Sequence, residues 1–258
     1  FLTVFQFYYN IYCFINLSSS NQLTVPSLIG KMAPNKDLFS LLPETLLITI
    51  LSFLPLKDAV RTSILAKHWH NLWRFRPNIE INERYFPPPH HENQDDTEIQ
   101  NRQFACITFG SAWLNPQKYD FSTLSSFTLT FSNPLTYMFD MEFFIRFALE
   151  HHTKSLELDF SGLDWNNSLP IAYSDAYSER FTLPDFVYQY KGLESLKLVS
   201  CRLREDRLIN LGCALKSVAL GWIEMDAPIL RNLLHSCPLL ESLSLLKCFN
   251  LTVYVIES

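Results

Sequence analysis

Residues 42–73 read LPETLLITILSFLPLKDAVRTSILAKHWHNLW, and their pattern of leucine, proline and tryptophan decides how the rest of the chain is read. Ser40 is placed to cap a helix that Pro43 opens at its first position, and Glu44 suits the positive end of the helix dipole. Leu46, Ile50 and Phe53 or Leu54 recur at i, i+4, i+7, with Leu47 and Leu51 on the neighbouring stripe. Pro55 stops this helix. A second is expected from Lys57 to Ala66, with Ala59, Val60 and Ile64 turned inward. Trp69, Leu72 and Trp73 fall at i, i+3, i+4 on a short third helix that Pro77 ends. So small a unit carries more apolar surface than it can hide alone. Pattern alone leaves two readings: a partner completes the core, or the unit is a helical cap on the following domain.

Working outward, the bulk numbers exclude several classes. The chain has 258 residues, 48% of them hydrophobic and 18% charged, which is a globular composition. A net charge of −5 argues against a nucleic-acid partner, since a phosphate backbone asks for a positive face. Six cysteines without a CxxC pair make neither a disulfide scaffold nor a zinc site. With six glycines, no phosphate-cradling loop is present. Cys106 and Cys213 sit in apolar contexts that favour an inert thiol, and no nucleophile–base spacing stands out. The expectation is a protein without its own catalysis, metal or cofactor, in the cytoplasm or nucleus. His90-His91 lack a third ligand and read as solvated residues.

Residues 1–30 carry no charge and begin FLTVFQFYYNIYCFINL. No basic region precedes the apolar run, and Gln6, Asn10 and Asn16 interrupt it, so neither a signal nor a membrane span fits well. Residues 1–31 are expected to be a non-native or disordered extension. On the far side of the helical unit, residues 77–100 contain FPPPHHENQDDTEIQ and are expected to be a linker or loop.

From about residue 101 a pattern recurs. Leu193-x-x-Leu196-x-Leu198-x-x-Cys201 is followed by Leu215-x-x-Val218-x-Leu220-x-x-Ile223 and Leu240-x-x-Leu243-x-Leu245-x-x-Cys248. Leu124-x-x-Phe127-x-Leu129 and Leu156-x-Leu158 are shorter copies upstream. The register points Phe127, Leu156, Leu196, Val218 and Leu243 lie 29, 40, 22 and 25 residues apart. All but the longest step fit the leucine-rich-repeat period of about 20–29 residues, and the longest suggests a surface insertion. Helical stretches at 141–152 and 227–237 separate the strands. Such units cannot bury their leucines singly, so they stack into a solenoid with residues 101–258 sharing one core. Alternate strand positions then face outward: Thr128 and Thr130, Glu157 and Asp159, Lys197 and Val199, Ala219 and Gly221, Ser244 and Leu246. They are either a ligand face or ordinary solvent-facing residues. No polar capping repeat follows the last strand, and the repeat domain is expected to be incomplete.

Two resemblances sharpen this. Leu42-Pro43-Glu44, Ile50 to Pro55, Lys57 to Ser63, Leu65, Lys67, Trp69 and Leu72-Trp73 closely resemble a plant-type F-box, with His68 where a basic Arg is usual. The later repeats, including Cys237-Pro238-Leu239-Leu240-Glu241-Ser242-Leu243, resemble the leucine-rich repeats of plant F-box proteins. The implied fold is α/β: a three-helix F-box at 38–76, then a solenoid of short parallel strands and helices. The F-box resemblance implies docking on the Skp-family adaptor of a cullin–RING (SCF) ubiquitin ligase. It places Leu42, Pro43, Leu46, Ile50, Leu51, Leu54, Val60, Ile64, Leu65 and Trp69 at the adaptor contact or in its support. The repeat face, with Glu157, Asp159, Lys197, Val199, Ala219, Gly221, Ser244 and Leu246, would hold a target protein. The expected role is substrate receptor; the alternative is a decoy that occupies the adaptor and delivers no target.

Overall fold

Segments of five residues with alternating burial build the frame. The computed structural model describes residues 42–70, 72–86, 96–114, 124–162, 180–211 and 214–250. Its strands are β1 (Asn78–Asn82), β2 (Ser126–Thr130), β3 (Ser155–Asp159), β4 (Ser195–Val199), β5 (Ser217–Gly221) and β6 (Ser242–Leu246). They form one parallel sheet in chain order β1-β2-β3-β4-β5-β6. Two apolar rungs run across it: Ile79–Phe127–Leu156–Leu196–Val218–Leu243 and Ile81–Leu129–Leu158–Leu198–Leu220–Leu245. From β1 to β5 every one of these side chains is buried. Parallel neighbours need a crossover between them. Helices supply it in α4 (Met138–Glu150), α5 (Asp185–Gln189), α6 (Glu205–Leu208) and α7 (Ala227–Ser236). In α4 Met141, Phe144, Ile145 and Ala148 are fully buried at i, i+3, i+4, i+7, the spacing of one helix face. Asp226 caps α7 by accepting the Ile229 N–H at 2.8 Å.

Register is reinforced at the strand entrances. The Lys154 carbonyl accepts the N–H groups of Glu194 and Ser195 at 2.8 and 3.0 Å, and the Glu194 carbonyl accepts those of Lys216 and Ser217 at 2.9 and 3.1 Å. The same residues pair through their side chains, Lys154 to Glu194 at 2.9 Å and Lys216 to Glu194 at 3.0 Å. These two ammonium groups hold the Glu194 carboxyl below its ordinary range.

Upstream of the sheet, α1 (Glu44–Ser52) buries Leu47 and Leu51, and α2 (Leu56–Arg61) buries Leu56 and Ala59. Three 3₁₀ turns follow at Thr62–Ile64, Lys67–Trp69 and Leu72–Phe75. The second helix therefore ends at Arg61 instead of reaching Ala66, and the expected third helix is two separate turns. Thr62, buried with its hydroxyl donating to the Ala59 carbonyl at 2.7 Å, takes the inward position. Arg76, 5% exposed, donates to the Leu54 carbonyl at 2.5 Å and reaches the Ser52 carbonyl at 3.5 Å. It closes the C-terminal end of α1, where carbonyls lack helical partners and a cation is favoured.

The expected linker at 77–100 is corrected. Residues 78–82 are the first strand of the sheet, and α3 (Asp96–Trp113) begins inside the same stretch. The described elements from α1 to β6 belong to one compact unit, in which α2 and α3 both pack on β1. A buried polar cluster holds this junction. The Glu83 carboxylate accepts the Ser132 N–H at 2.7 Å and its hydroxyl at 2.8 Å, while Gln103 of α3 donates to the Ser132 hydroxyl at 3.0 Å. The expectations for residues 1–31, Ser40, His90-His91, the surface insertion and Cys213 lie outside the described residues. Among the described residues, no helix is long and apolar enough to cross a membrane.

Candidate functional site

Two surfaces carry the residues singled out from sequence. The first is the outside of α1, α2 and the turns that follow. Leu46 and Ile50 stand on one stripe of α1 and Phe53 follows in the turn after it, with Leu46 49% and Phe53 64% exposed and Ile50 half-buried. The adjacent stripe, Leu47 and Leu51, faces the core. Ile64 is 80% exposed, the reverse of its expected inward position. The 3₁₀ turn advances about 120° per residue where an α-helix advances about 100°, and this swings Ile64 out while Thr62 goes in. Beside Ile64 lies a shallow depression lined by Ser63, Ala66, Lys67 and His70.

Leu54, Val60 and Leu65 are half-buried, and Leu42 and Pro43 immediately precede α1. Leu51 at 0% and Trp69 at 2% exposure belong to the core, which puts them in the support of the helices and not on their surface. Leu72 and Trp73 pack in the same core. Two exposed apolar residues were missing from the expected contact set, Phe53 and Phe75. Phe53 was recoverable, since it lies at i+7 from Leu46 and i+3 from Ile50. Phe75 carries no comparable signal, because its exposure follows from a turn only four residues long.

The second surface is the sheet face opposite the apolar rungs. Its middle row runs Glu80–Thr128–Glu157–Lys197–Ala219–Ser244, and the next runs Asn82–Thr130–Asp159–Val199–Gly221–Leu246. The register thus brings all eight predicted residues of β3 to β6 onto one face and extends it to Asn78, Glu80 and Asn82 of β1, which sequence reasoning missed. The polar end is held in place. Glu157 pairs with Lys197 across the β3–β4 rung. Asp159 accepts from the Ser161 N–H at 3.0 Å and its hydroxyl at 2.5 Å. Glu80 accepts from the Tyr85 hydroxyl at 2.9 Å and the Asn82 amide at 3.1 Å. Burial, then Glu80, push Tyr85 up to about 12, so it keeps the proton it donates. Towards β6 the face is small and apolar, with Gly221 buried and Leu246 exposed. Thr130, expected to face solvent, is buried.

Thiol chemistry finds little support at Cys106. Burial pushes it up to about 12, which leaves it protonated at neutral pH. Cys201 is fully buried and raised for the same reason.

Residues 39–80 match the F-box domain family. An F-box/LRR-repeat protein of Arabidopsis thaliana is 31% identical over 84% of this chain and 44% of its own length. Two F-box/FBD/LRR-repeat proteins of the same plant are 32% and 30% identical, over 85% and 86% of this chain and 42% and 43% of their own lengths. The chain spans less than half the length of the curated relatives it matches. An F-box followed by a sheet of leucine-rich-type α/β repeats, with relatives matched over most of the chain, places this protein in the plant F-box/LRR family.

Proposed function

We propose that this chain is a substrate-recognition subunit of an SCF-type ubiquitin ligase, with its F-box docked on a Skp-family adaptor and its repeat face holding a target protein. The observation that carries the proposal is the exposed apolar set Leu46, Phe53 and Ile64 on a helical unit that buries Leu47, Leu51, Leu56, Trp69 and Leu72. Large apolar groups grouped in water mark a docking surface. Leu42, Pro43, Ile50, Leu54, Val60 and Leu65 would complete it. Leu51 and Trp69 hold the helices from within. Cullin and RING subunits would join through the adaptor, in the cytoplasm or nucleus.

Catalysis in this reading is proximity. A target lysine held near ubiquitin on another subunit gains effective concentration, and this chain supplies no reacting group. In this reading Glu157, Asp159 and Lys197, with Val199 beside them, give the target face its charged half, and Ala219, Gly221, Ser244 and Leu246 its uncharged half. The test is affinity purification of the tagged chain from plant cells, with and without Ile64→Asp. Adaptor and cullin should co-purify with the parent chain and be depleted with the folded variant. Their absence from the parent chain would sink the proposal. Adaptor binding that never slows or speeds turnover of any co-captured protein would convert it to the decoy reading.

A further inference from the structure

The seam between the F-box helices and the first strand holds a cavity of about 320 Å³, within the range of small-molecule sites. Leu56 of α2, Ile81 of β1 and Phe109 of α3 give it apolar walls, and Phe86 closes it with its ring 5.6 Å from that of Phe109. Arg102 of α3 also lines it. The Arg102 Nε is buried without a hydrogen-bond acceptor, and among the described residues no carboxylate pairs with its guanidinium.

The other charged groups of the cavity are already engaged. Lys57 donates to the Tyr85 carbonyl at 2.9 Å, and Glu80 accepts from Tyr85 and Asn82. One guanidinium with an unfilled donor therefore lines a space whose walls are mostly apolar. A buried N–H without an acceptor is unfavourable, and a carboxylate matches the donor fork of arginine. We infer that this cavity binds a small apolar monocarboxylate, its acid group on Arg102 and its body between Phe86, Phe109 and Ile81. Glu80 nearby disfavours a dianion such as a phosphate monoester. Because the walls come from α2 on one side and from β1 and α3 on the other, the ligand fastens the F-box helices to the repeats. The inference does not depend on adaptor binding.

The test titrates 4-phenylbutyrate and its neutral amide into the full chain by calorimetry. The acid should bind at least about ten-fold tighter than the amide, the difference a charge-assisted hydrogen bond makes. Arg102→Gln should erase that preference while leaving weak, equal binding. Ala105→Trp should abolish binding of both, because Ala105 lines the cavity from an exposed position where the larger ring can enter it. If the tryptophan variant fails to fold, Arg102→Gln carries the test alone. The inference is overturned if the parent chain fails to bind the acid at millimolar concentration, or binds acid and amide equally. It is equally overturned if the acid preference survives Arg102→Gln, or if folded Ala105→Trp binds both probes as the parent does.

Discussion

Arg76 poses a question that two substitutions answer. Its guanidinium is 5% exposed and donates to the Leu54 carbonyl at 2.5 Å, and burial lowers it from 12.5 to about 10. A lowering of that size corresponds to roughly 3 kcal/mol against the charged form. Opposing it are one charge-assisted hydrogen bond of about 1.5–3 kcal/mol and the favourable placement of a cation at a helix C-terminus, about 0.3–1 kcal/mol. The charge is thus close to neutral in net effect, and the three methylenes of the stem, about 0.8 kcal/mol each, decide the outcome. Arg76→Met keeps the stem and should change stability by less than about 1 kcal/mol. Arg76→Ala loses the stem as well and should cost about 2–3 kcal/mol. Urea unfolding followed by far-ultraviolet circular dichroism reads both as midpoint shifts at constant slope. A methionine variant as unstable as the alanine variant would refute the reasoning, because the hydrogen bond and charge would then outweigh their desolvation.

Other expectations follow from the same geometry. Leu51→Ala empties a fully buried site and should cost about 2.5–5 kcal/mol, whereas Ile64→Ala should stay within about 0.5 kcal/mol, both by thermal unfolding. Gly110→Ala places a Cβ 2.7 Å from the Phe144 ring and should destabilise the α3–α4 contact by about 1–3 kcal/mol, read as a lowered Tm. The Glu194 carboxyl is held low in the folded state by Lys154 and Lys216, so its contribution is fully present above the ordinary carboxylate range and is lost as pH falls from there through the lower folded-state value. Glu194→Gln should therefore narrow the stability difference between neutral and acidic solution, measured as urea midpoints at several pH values.

Much of the frame was legible because its signals are local. Phe127-x-Leu129 through Leu243-x-Leu245 each place two apolar residues at the period of a strand, and the solenoid stacks them in the register that spacing implies. The α1 stripes were legible for the same reason, as Leu47 and Leu51 separate from Leu46 and Ile50 by one helical step. β1 was not. Asn78-Ile79-Glu80-Ile81-Asn82 has two apolar residues between polar neighbours and no leucine lead-in, and it becomes a strand by pairing with β2, 48 residues away. The Glu83–Ser132–Gln103 cluster is invisible for the same reason, since its partners meet only after β1 and β2 pair. Ile64 failed differently: an α-helical period was extended three residues past the point where the backbone tightens. Trp69 reads as an anchor by type, and only burial shows that it points into the core.

Leu46, Phe53 and Ile64 are the proposed adaptor-docking face. The most direct measurement is a calorimetric titration of the purified chain with a recombinant Skp-family adaptor, repeated with Leu46→Asp/Ile64→Asp. Saturable one-to-one binding by the parent chain is expected, weakened at least about 100-fold in the double variant, since central apolar anchors are each worth about 2 kcal/mol or more. Far-ultraviolet circular dichroism and urea midpoint should match between the two. Equal binding by both proteins, or no binding by the folded parent chain, would contradict it.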